Sequence, residues 1–135
     1  SLAGDTYGLE LLKAKIEDAD HNTTRFVLMS CHGEAPSADL LPHEVITSFV
    51  FRVRNVPAAL YKAMGGFATN GINMTKLESY VDGEFVAAQF YADVEGHPDH
   101  QAMKHAFEEL HFFTHEVHIL GTYPAHDYRK SLNGK

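Results

Sequence analysis

The six residues from Asn55 to Leu60, Asn-Val-Pro-Ala-Ala-Leu, are those whose types and spacing are best suited to chemistry. Before them, Phe49, Phe51 and Val53 alternate with Val50, Arg52 and Arg54, the period of a strand over Ser48–Arg54. After them, Leu60, Ala63, Met64, Phe67 and Ala68 recur at helical spacing. Pro57 suits a first helical turn and Asn55 suits a cap, so strand is expected to pass into helix through a very short turn. The first amides of a helix lack carbonyl partners and carry about half a positive charge, which fits the turn to hold a carboxylate or phosphate. Spacing alone leaves that open, because the same residues also serve as a purely structural turn.

The histidines are a second candidate. There are ten, with His111 and His115 at helical i, i+4 spacing and His97 close to His100. A metal would draw on such pairs, but no cysteine cluster accompanies them, and the expectation is that no metal is bound.

Composition limits what such residues can belong to. With 135 residues, 44% of them hydrophobic, there is room for one domain and an appendage rather than a large enzyme. A formal net charge of −7 disfavours a nucleic-acid or anionic-membrane surface, which needs clustered Lys and Arg. No basic aromatic strand face is present either, which disfavours a nucleic-acid-binding module of similar architecture. Cys31 is the lone cysteine, so an internal disulfide is excluded. No apolar run approaches the ~20 residues of a membrane span, and no basic, apolar, small-residue leader opens the sequence. The expected compartment is therefore the cytoplasm.

Along the chain, Asp5 or Thr6 is expected to cap a helix striped by Leu9, Leu12 and Ile16, and Arg25–Ser30 reads as a short buried strand around Phe26, Val27, Leu28 and Met29. A helix and one strand cannot form a sheet domain, since a lone strand leaves its backbone groups unpaired. Residues 1–30 are thus expected to be the remnant of a larger domain. Gly33, Pro36, Ser37, Asp39 and Pro42 punctuate 31–46 as a linker. Asn70-Gly71 supplies a helix stop. The next strand changes phase between Ile72 and Met74 and Leu77, Ser79 and Val81, which predicts a bulge near Thr75 or Lys76. Asp82-Gly83 predicts a hairpin into a strand over Glu84–Glu95. A helix with Met103, Ala106, Phe107, Leu110 and Phe113 inward follows Gly96-His97-Pro98. A last strand, Glu116–Tyr123, carries Val117 and Ile119 on one face, and 125–135 reads as a flexible tail. Gly65-Gly66 inside the helix that follows Pro57 implies close approach to the sheet or to a partner chain. The order from Ser48 is βαββαβ, an α+β ferredoxin-like sandwich with two helices on one face of a four-stranded antiparallel sheet.

These segments also resemble a known family. Asn22-Thr23-Thr24-Arg25-Phe26 is similar to the Thr-Arg-Phe signature near the end of the catalytic domain of prephenate dehydratases, and Tyr7-Gly8-Leu9-Glu10 and Ile16-Glu17-Asp18 fit the same region. Residues 47–124 resemble the ACT regulatory domain that follows, through Asn55 to Leu60, Phe67 to Thr75, Glu78-Ser79, Glu95-Gly96-His97 and Leu120 to Pro124. The resemblance implies conversion of prephenate to phenylpyruvate with loss of water and CO2. It assigns catalytic positions to Thr24, Arg25 and Phe26: a guanidinium clamps a dicarboxylate, a hydroxyl hydrogen-bonds the departing oxygen, and Phe26 packs beneath them. With only the end of a two-lobed catalytic domain, the chain alone is not expected to turn over prephenate.

For the regulatory part, the resemblance implies pairing into a homodimer or tetramer, with L-phenylalanine held at the junction and no cofactor. Asn55, Pro57, Ala58, Ala59 and Leu60 of one copy would face Asn73, Met74, Glu78 and Ser79 of the other. The Ala58 and Ala59 amides would hold the ligand carboxylate, and Asn73 or a neighbouring carbonyl would accept from its ammonium. Ala58 stands where the family usually has glycine, so its methyl is expected to crowd a ligand or to exclude a positive φ. Tyr80-Val81 stands where Arg-Pro is common, offering a phenol in place of a guanidinium. The alternative is a stand-alone amino-acid sensor with no enzyme attached.

Overall fold

Alternate phenylalanines on one strand organise the larger part of the molecule. In a computed structural model of the chain, which describes residues 2–18, 24–81 and 89–129, strand β1 runs over Val45–Val53. It buries Phe49, Phe51 and Val53 on one face, as the period of two requires. The strand starts three residues before Ser48, because Val45, Ile46 and Thr47 are also buried in the sheet.

Two units make up the chain, Ser1–Gly33 and Glu34–Lys135. In the second, β1 is followed by α2 (Ala59–Thr69), β2 (Met74–Tyr80), β3 (Gln89–Glu95), α3 (Gln101–Phe113) and β4 (Thr114–Pro124). The sheet order is β2-β3-β1-β4 with every pairing antiparallel. This is the α+β ferredoxin-like sandwich. The hairpin expected at Asp82-Gly83 and the first part of its return strand lie outside the described residues.

The core forms where α2 and α3 cover one face. Phe49 stacks on Phe67 at 5.5 Å and meets Phe107 edge-on at 5.0 Å, with Ala63, Met103, Ala106 and Leu110 filling the space between. Such offset and edge-to-face pairs add to the burial of apolar area. Gly66 lets the helices meet: a Cβ there would lie 2.8 Å from Glu109 Cβ and 3.0 Å from the Ala106 carbonyl oxygen. The close approach is therefore between α2 and α3, not to the sheet. Helix α2 ends on Gly71, φ +67°, with Ile72 N–H donating to Phe67 O (2.9 Å) and Gly71 N–H to Ala68 O (3.2 Å), a Schellman closure. The predicted bulge is present, as a register shift between Met74 and Lys76.

The first unit departs from expectation. Helix α1 spans only Leu2–Tyr7, and Leu9, Leu12 and Ile16 are non-helical and exposed. Residues 25–30 form no strand; Phe26 is 88% and Leu28 104% exposed. Among the described residues no strand pairs with this segment, and an unpaired strand has nothing to hold it extended. The tail departs in the other direction. Ala125 N–H donates to Glu44 O at 2.7 Å, and Arg129 reaches Thr75 and Asp93, so 125–129 are fixed rather than loose. Residues 130–135 are outside the described set. Among the described residues no helix is long and apolar enough to cross a membrane.

Candidate functional site

At the mouth of α2 the backbone takes an uncommon path. Val56 N–H donates to Arg54 O (2.9 Å), Ala59 N–H to Val56 O (3.1 Å) and Lys62 N–H to Ala58 O (3.0 Å). Ala58, at φ 56° and ψ 33°, is the N-cap, and no side chain caps the helix. Four expectations change as a result. Asn55 is not the cap, and Pro57 precedes the helix instead of opening it, because the left-handed turn at Ala58 delays the first helical residue to Ala59. The methyl of Ala58 does not exclude positive φ; the residue adopts it at a cost of roughly 1–2 kcal/mol. The Ala59 amide is already engaged, so of the first four amides at the helix start, Ala58 to Tyr61, those of Ala58, Leu60 and Tyr61 donate to no backbone carbonyl among the described residues. Together they form an anion-directed group beside the exposed Asn55, Val56 and Pro57.

The remaining predicted residues lie elsewhere. Asn73 and Met74 follow the far end of α2, separated from Ala58 by 11 helical residues, roughly 16 Å at the usual rise per residue. Asn73 lines an open cavity of about 540 Å³ with Leu40, Leu41, Ile72, Glu95 and Met103, and none of Asn55–Leu60 lines it. The Asn73 main-chain carbonyl accepts from Glu95 N–H at 2.9 Å. Glu78 and Ser79 are exposed on the edge strand β2. Lys76 Nζ sits 3.0 Å from Glu78 Oε1 and Tyr80 O–H donates to Glu78 Oε2 at 3.1 Å. These partners hold the Glu78 carboxyl below its usual range, and the bond to Glu78 holds the Tyr80 phenol above its own. Tyr80 thus engages its own strand neighbour. One copy does not bring the two halves of the predicted effector site together.

In the first unit Thr24, Arg25 and Phe26 are exposed on irregular backbone. Phe26 therefore does not pack beneath the other two. The helical spacing of His111 and His115 is also lost, since α3 stops at Phe113 and His115 belongs to β4. Among the described residues no group of three or more His, Cys, Asp and Glu side chains is placed to hold a metal.

A polar cluster on the outer sheet face was not foreseen. Asp93 is fully buried, and Oδ1 accepts from Ser48 Oγ at 2.5 Å and from the Tyr91 phenol at 2.6 Å. Ser48 has given its one proton to Asp93, so the 2.7 Å bond to Tyr123 must be donated by the Tyr123 phenol. Burial and the bond to Asp93 push the Tyr91 phenol up to about 12. Alternation in sequence places Tyr91 and Asp93 on this face, but nothing in their spacing shows that the face is covered.

With this geometry in place, the chain can be compared with known proteins. No protein-family model matches it. A bifunctional N-acyl-homoserine lactone acylase/prephenate dehydratase of Komagataeibacter europaeus is 48% identical over 132 residues, covering 96% of this chain and 46% of its own length. A prephenate dehydratase of Mycolicibacterium gilvum is 39% identical over 125 residues, covering 92% of the chain and 40% of its own length. This chain is homologous to part of prephenate dehydratase. It spans less than half the length of these relatives. Among solved structures, the quorum-quenching acylase GqqA superposes with a TM-score of 0.63 at 49% identity, over 72% of this chain and 49% of that one. The prephenate dehydratase of Arthrobacter aurescens in complex with L-Phe superposes with a TM-score of 0.60 at 26% identity, over 70% of this chain and 31% of that one.

Proposed function

We propose that this chain is the regulatory end of a prephenate dehydratase: an ACT domain over 47–124 that binds L-phenylalanine for feedback inhibition, joined through 31–46 to the last part of the catalytic domain, 1–30. The observation that carries the reading is the mouth of α2, where the amides of Ala58, Leu60 and Tyr61 have no backbone acceptor among the described residues, beside exposed Asn55 and Pro57. An α-carboxylate suits those amides. The separation of Asn73 from this turn is what a site shared by two copies requires. Solved with L-Phe bound, the Arthrobacter aurescens relative supports the choice of ligand.

In the whole protein, Arg25 would clamp a prephenate carboxylate and Thr24 would hydrogen-bond the departing hydroxyl, yielding phenylpyruvate, water and CO2 in a cytoplasmic route to L-phenylalanine. Inhibition then reflects a coupling of roughly 1–3 kcal/mol between effector and substrate sites. Calorimetry of this chain with L-phenylalanine, L-tyrosine and L-tryptophan, run beside light scattering, tests the regulatory claim. Heat with L-phenylalanine at a stoichiometry tied to a dimer or tetramer is expected. No heat, or binding by a single subunit, overturns it.

A second reading has its own support. The relatives at 48% and 49% identity carry acylase names, so the whole protein is a candidate for hydrolysing N-acyl-homoserine lactones as well. Assaying the full-length protein on prephenate and on an N-acyl-homoserine lactone separates the two activities. A natural reading frame that starts near Ser1 would instead favour a stand-alone sensor.

A further inference from the structure

The outer sheet face carries a group that none of the foregoing uses: the guanidinium of Arg129, beyond the last strand. Arg129 Nη1 donates to Thr75 Oγ1 at 3.2 Å, and Nη2 stands 3.9 Å from Asp93 Oδ2. Thr75 in turn donates its own proton to the Asp93 backbone carbonyl at 3.4 Å. The other oxygen of Asp93 is taken by Ser48 and Tyr91, so the carboxylate, with no exposed surface, is oriented from both sides. Lys76, which pairs with Asp93 across the strands, is drawn to Glu78 at 3.0 Å and lies over the Tyr91 ring at 5.3 Å.

Thr75 is the residue at which β2 changes register, between Met74 and Lys76. A bulge on an edge strand is held on one side only, and a shift of one residue there turns every following side chain to the opposite face. Arg129 bonds the bulge residue itself. Its own segment is anchored independently by Ala125 N–H on Glu44 O at 2.7 Å, and a turn bond from Arg129 N–H to His126 O at 2.9 Å shapes it.

We propose that Arg129 is a positioning residue for the effector site: by tying the bulge at Thr75 to the buried Asp93 carboxylate, it fixes β2, which presents Met74, Glu78 and Ser79, and Asn73 just before it, to the neighbouring copy. This rests on the L-phenylalanine site proposed above. The geometry assigns to the segment after β4 a role in ligand affinity that its polar composition does not reveal. A guanidinium suits the task because its fork engages a hydroxyl and a carboxylate at once, whereas an ammonium supplies charge without the fixed angle.

The test compares the unsubstituted chain with Arg129→Ala and Arg129→Lys by L-phenylalanine calorimetry and by hydrogen exchange at the amides of residues 73–77. Arg129→Ala is expected to weaken L-phenylalanine binding by about tenfold and to speed exchange at Thr75 and Lys76, with the melting temperature of the α2–α3 core unchanged. Arg129→Lys is expected to recover part of the loss, and added millimolar guanidinium to restore binding in Arg129→Ala, a response that a merely structural role would not give. Equal affinity of Arg129→Ala and the unsubstituted chain, or unchanged exchange at the bulge, overturns the inference while leaving the proposed function standing. An unsubstituted chain that takes up no L-phenylalanine overturns the proposed function, and this role for Arg129 with it.

Discussion

Two stretches of this chain have similar apolar content and opposite fates. Phe26-Val27-Leu28-Met29 is 58–104% exposed, while Phe49, Phe51 and Val53 of β1 are at most 8% exposed. The composition does not separate them; the neighbours do. Strand β1 has β3 on one side, β4 on the other and two helices over one face. Among the described residues the earlier stretch has no strand beside it. A β-strand is a relationship between segments before it is a property of one, because its backbone groups are satisfied only by a partner.

The contrast is broken most directly by emptying the better-packed region. Phe49→Ala removes the ring that joins Phe51, Phe67 and Phe107 and is expected to cost about 3–5 kcal/mol. That is a large share of the roughly 5–15 kcal/mol available to a small domain. Denaturant unfolding should show the loss as a lower midpoint, and a midpoint unchanged would mean that this cluster does not hold the fold.

The next effect is smaller and comes from the helix crossing. Gly66→Ala places a methyl 3.0 Å from the Ala106 carbonyl oxygen, a backbone atom that cannot rotate away, and is expected to cost about 1–3 kcal/mol. A methyl on its neighbour Gly65 would meet nothing within 4 Å, so the same change there is expected to gain up to about 1 kcal/mol of helix propensity. Opposite shifts in thermal midpoint for the two variants are the signature. Equal shifts would place a second copy, or nothing, where α3 is inferred to press.

The outer face supplies a pH test. The Tyr91 phenol is raised from 10.0 to about 12 by burial and by its bond to Asp93. The folded chain favours the neutral phenol, so this contribution to stability is complete below pH 10 and is lost as pH rises through about 12. Alkaline titration followed by phenolate absorbance should show the Tyr80 phenol delayed by its bond to Glu78 and, separately, a late titration of Tyr91. Asp93→Asn should bring that titration earlier, and an unmoved curve would mean that Tyr91 does not depend on Asp93.

Much of the second unit was legible because period-two and period-3.6 patterns report which face is buried, and here those faces meet one another. Phe49 and Phe51 alternate, while Met103, Ala106, Phe107 and Leu110 recur helically, and all are in the core. The start of α2 was not legible, since a left-handed alanine cannot be told from a helical one by type. Arg129 was not legible either: a polar residue near the end of a sequence reads as solvated until the buried Asp93 is seen opposite it. In the first unit the apolar run within Arg25–Ser30 reports only what the segment would form beside partner strands, and among the described residues no strand lies beside it.

Ala58→Gly tests the turn within the better-packed region. An L-residue in the left-handed region costs about 1–2 kcal/mol, and glycine returns part of that gain through its larger unfolded-state entropy. A net stabilisation of about 0.5–1 kcal/mol is expected from denaturant midpoints. Destabilisation would mean that the methyl makes a contact worth more than the strain, and would place Ala58 in the packing of the turn instead of at its exposed lip.

The smallest effect is expected where apolar residues are most numerous on the surface. Leu28→Asp in this chain should alter the midpoint by no more than about 0.5 kcal/mol, since a fully exposed side chain has no burial to lose. The same substitution in the full-length protein is the sharper half of the test. If residues 25–30 complete a sheet of the proposed catalytic domain, a carboxylate at Leu28 enters a core there, costs several kcal/mol and removes prephenate turnover with it. Small in the short chain and large in the long one is the outcome that makes neighbours, rather than sequence, the cause of the contrast. Small in both would mean that Leu28 is exposed in the whole protein too, and that this stretch does not complete a sheet there.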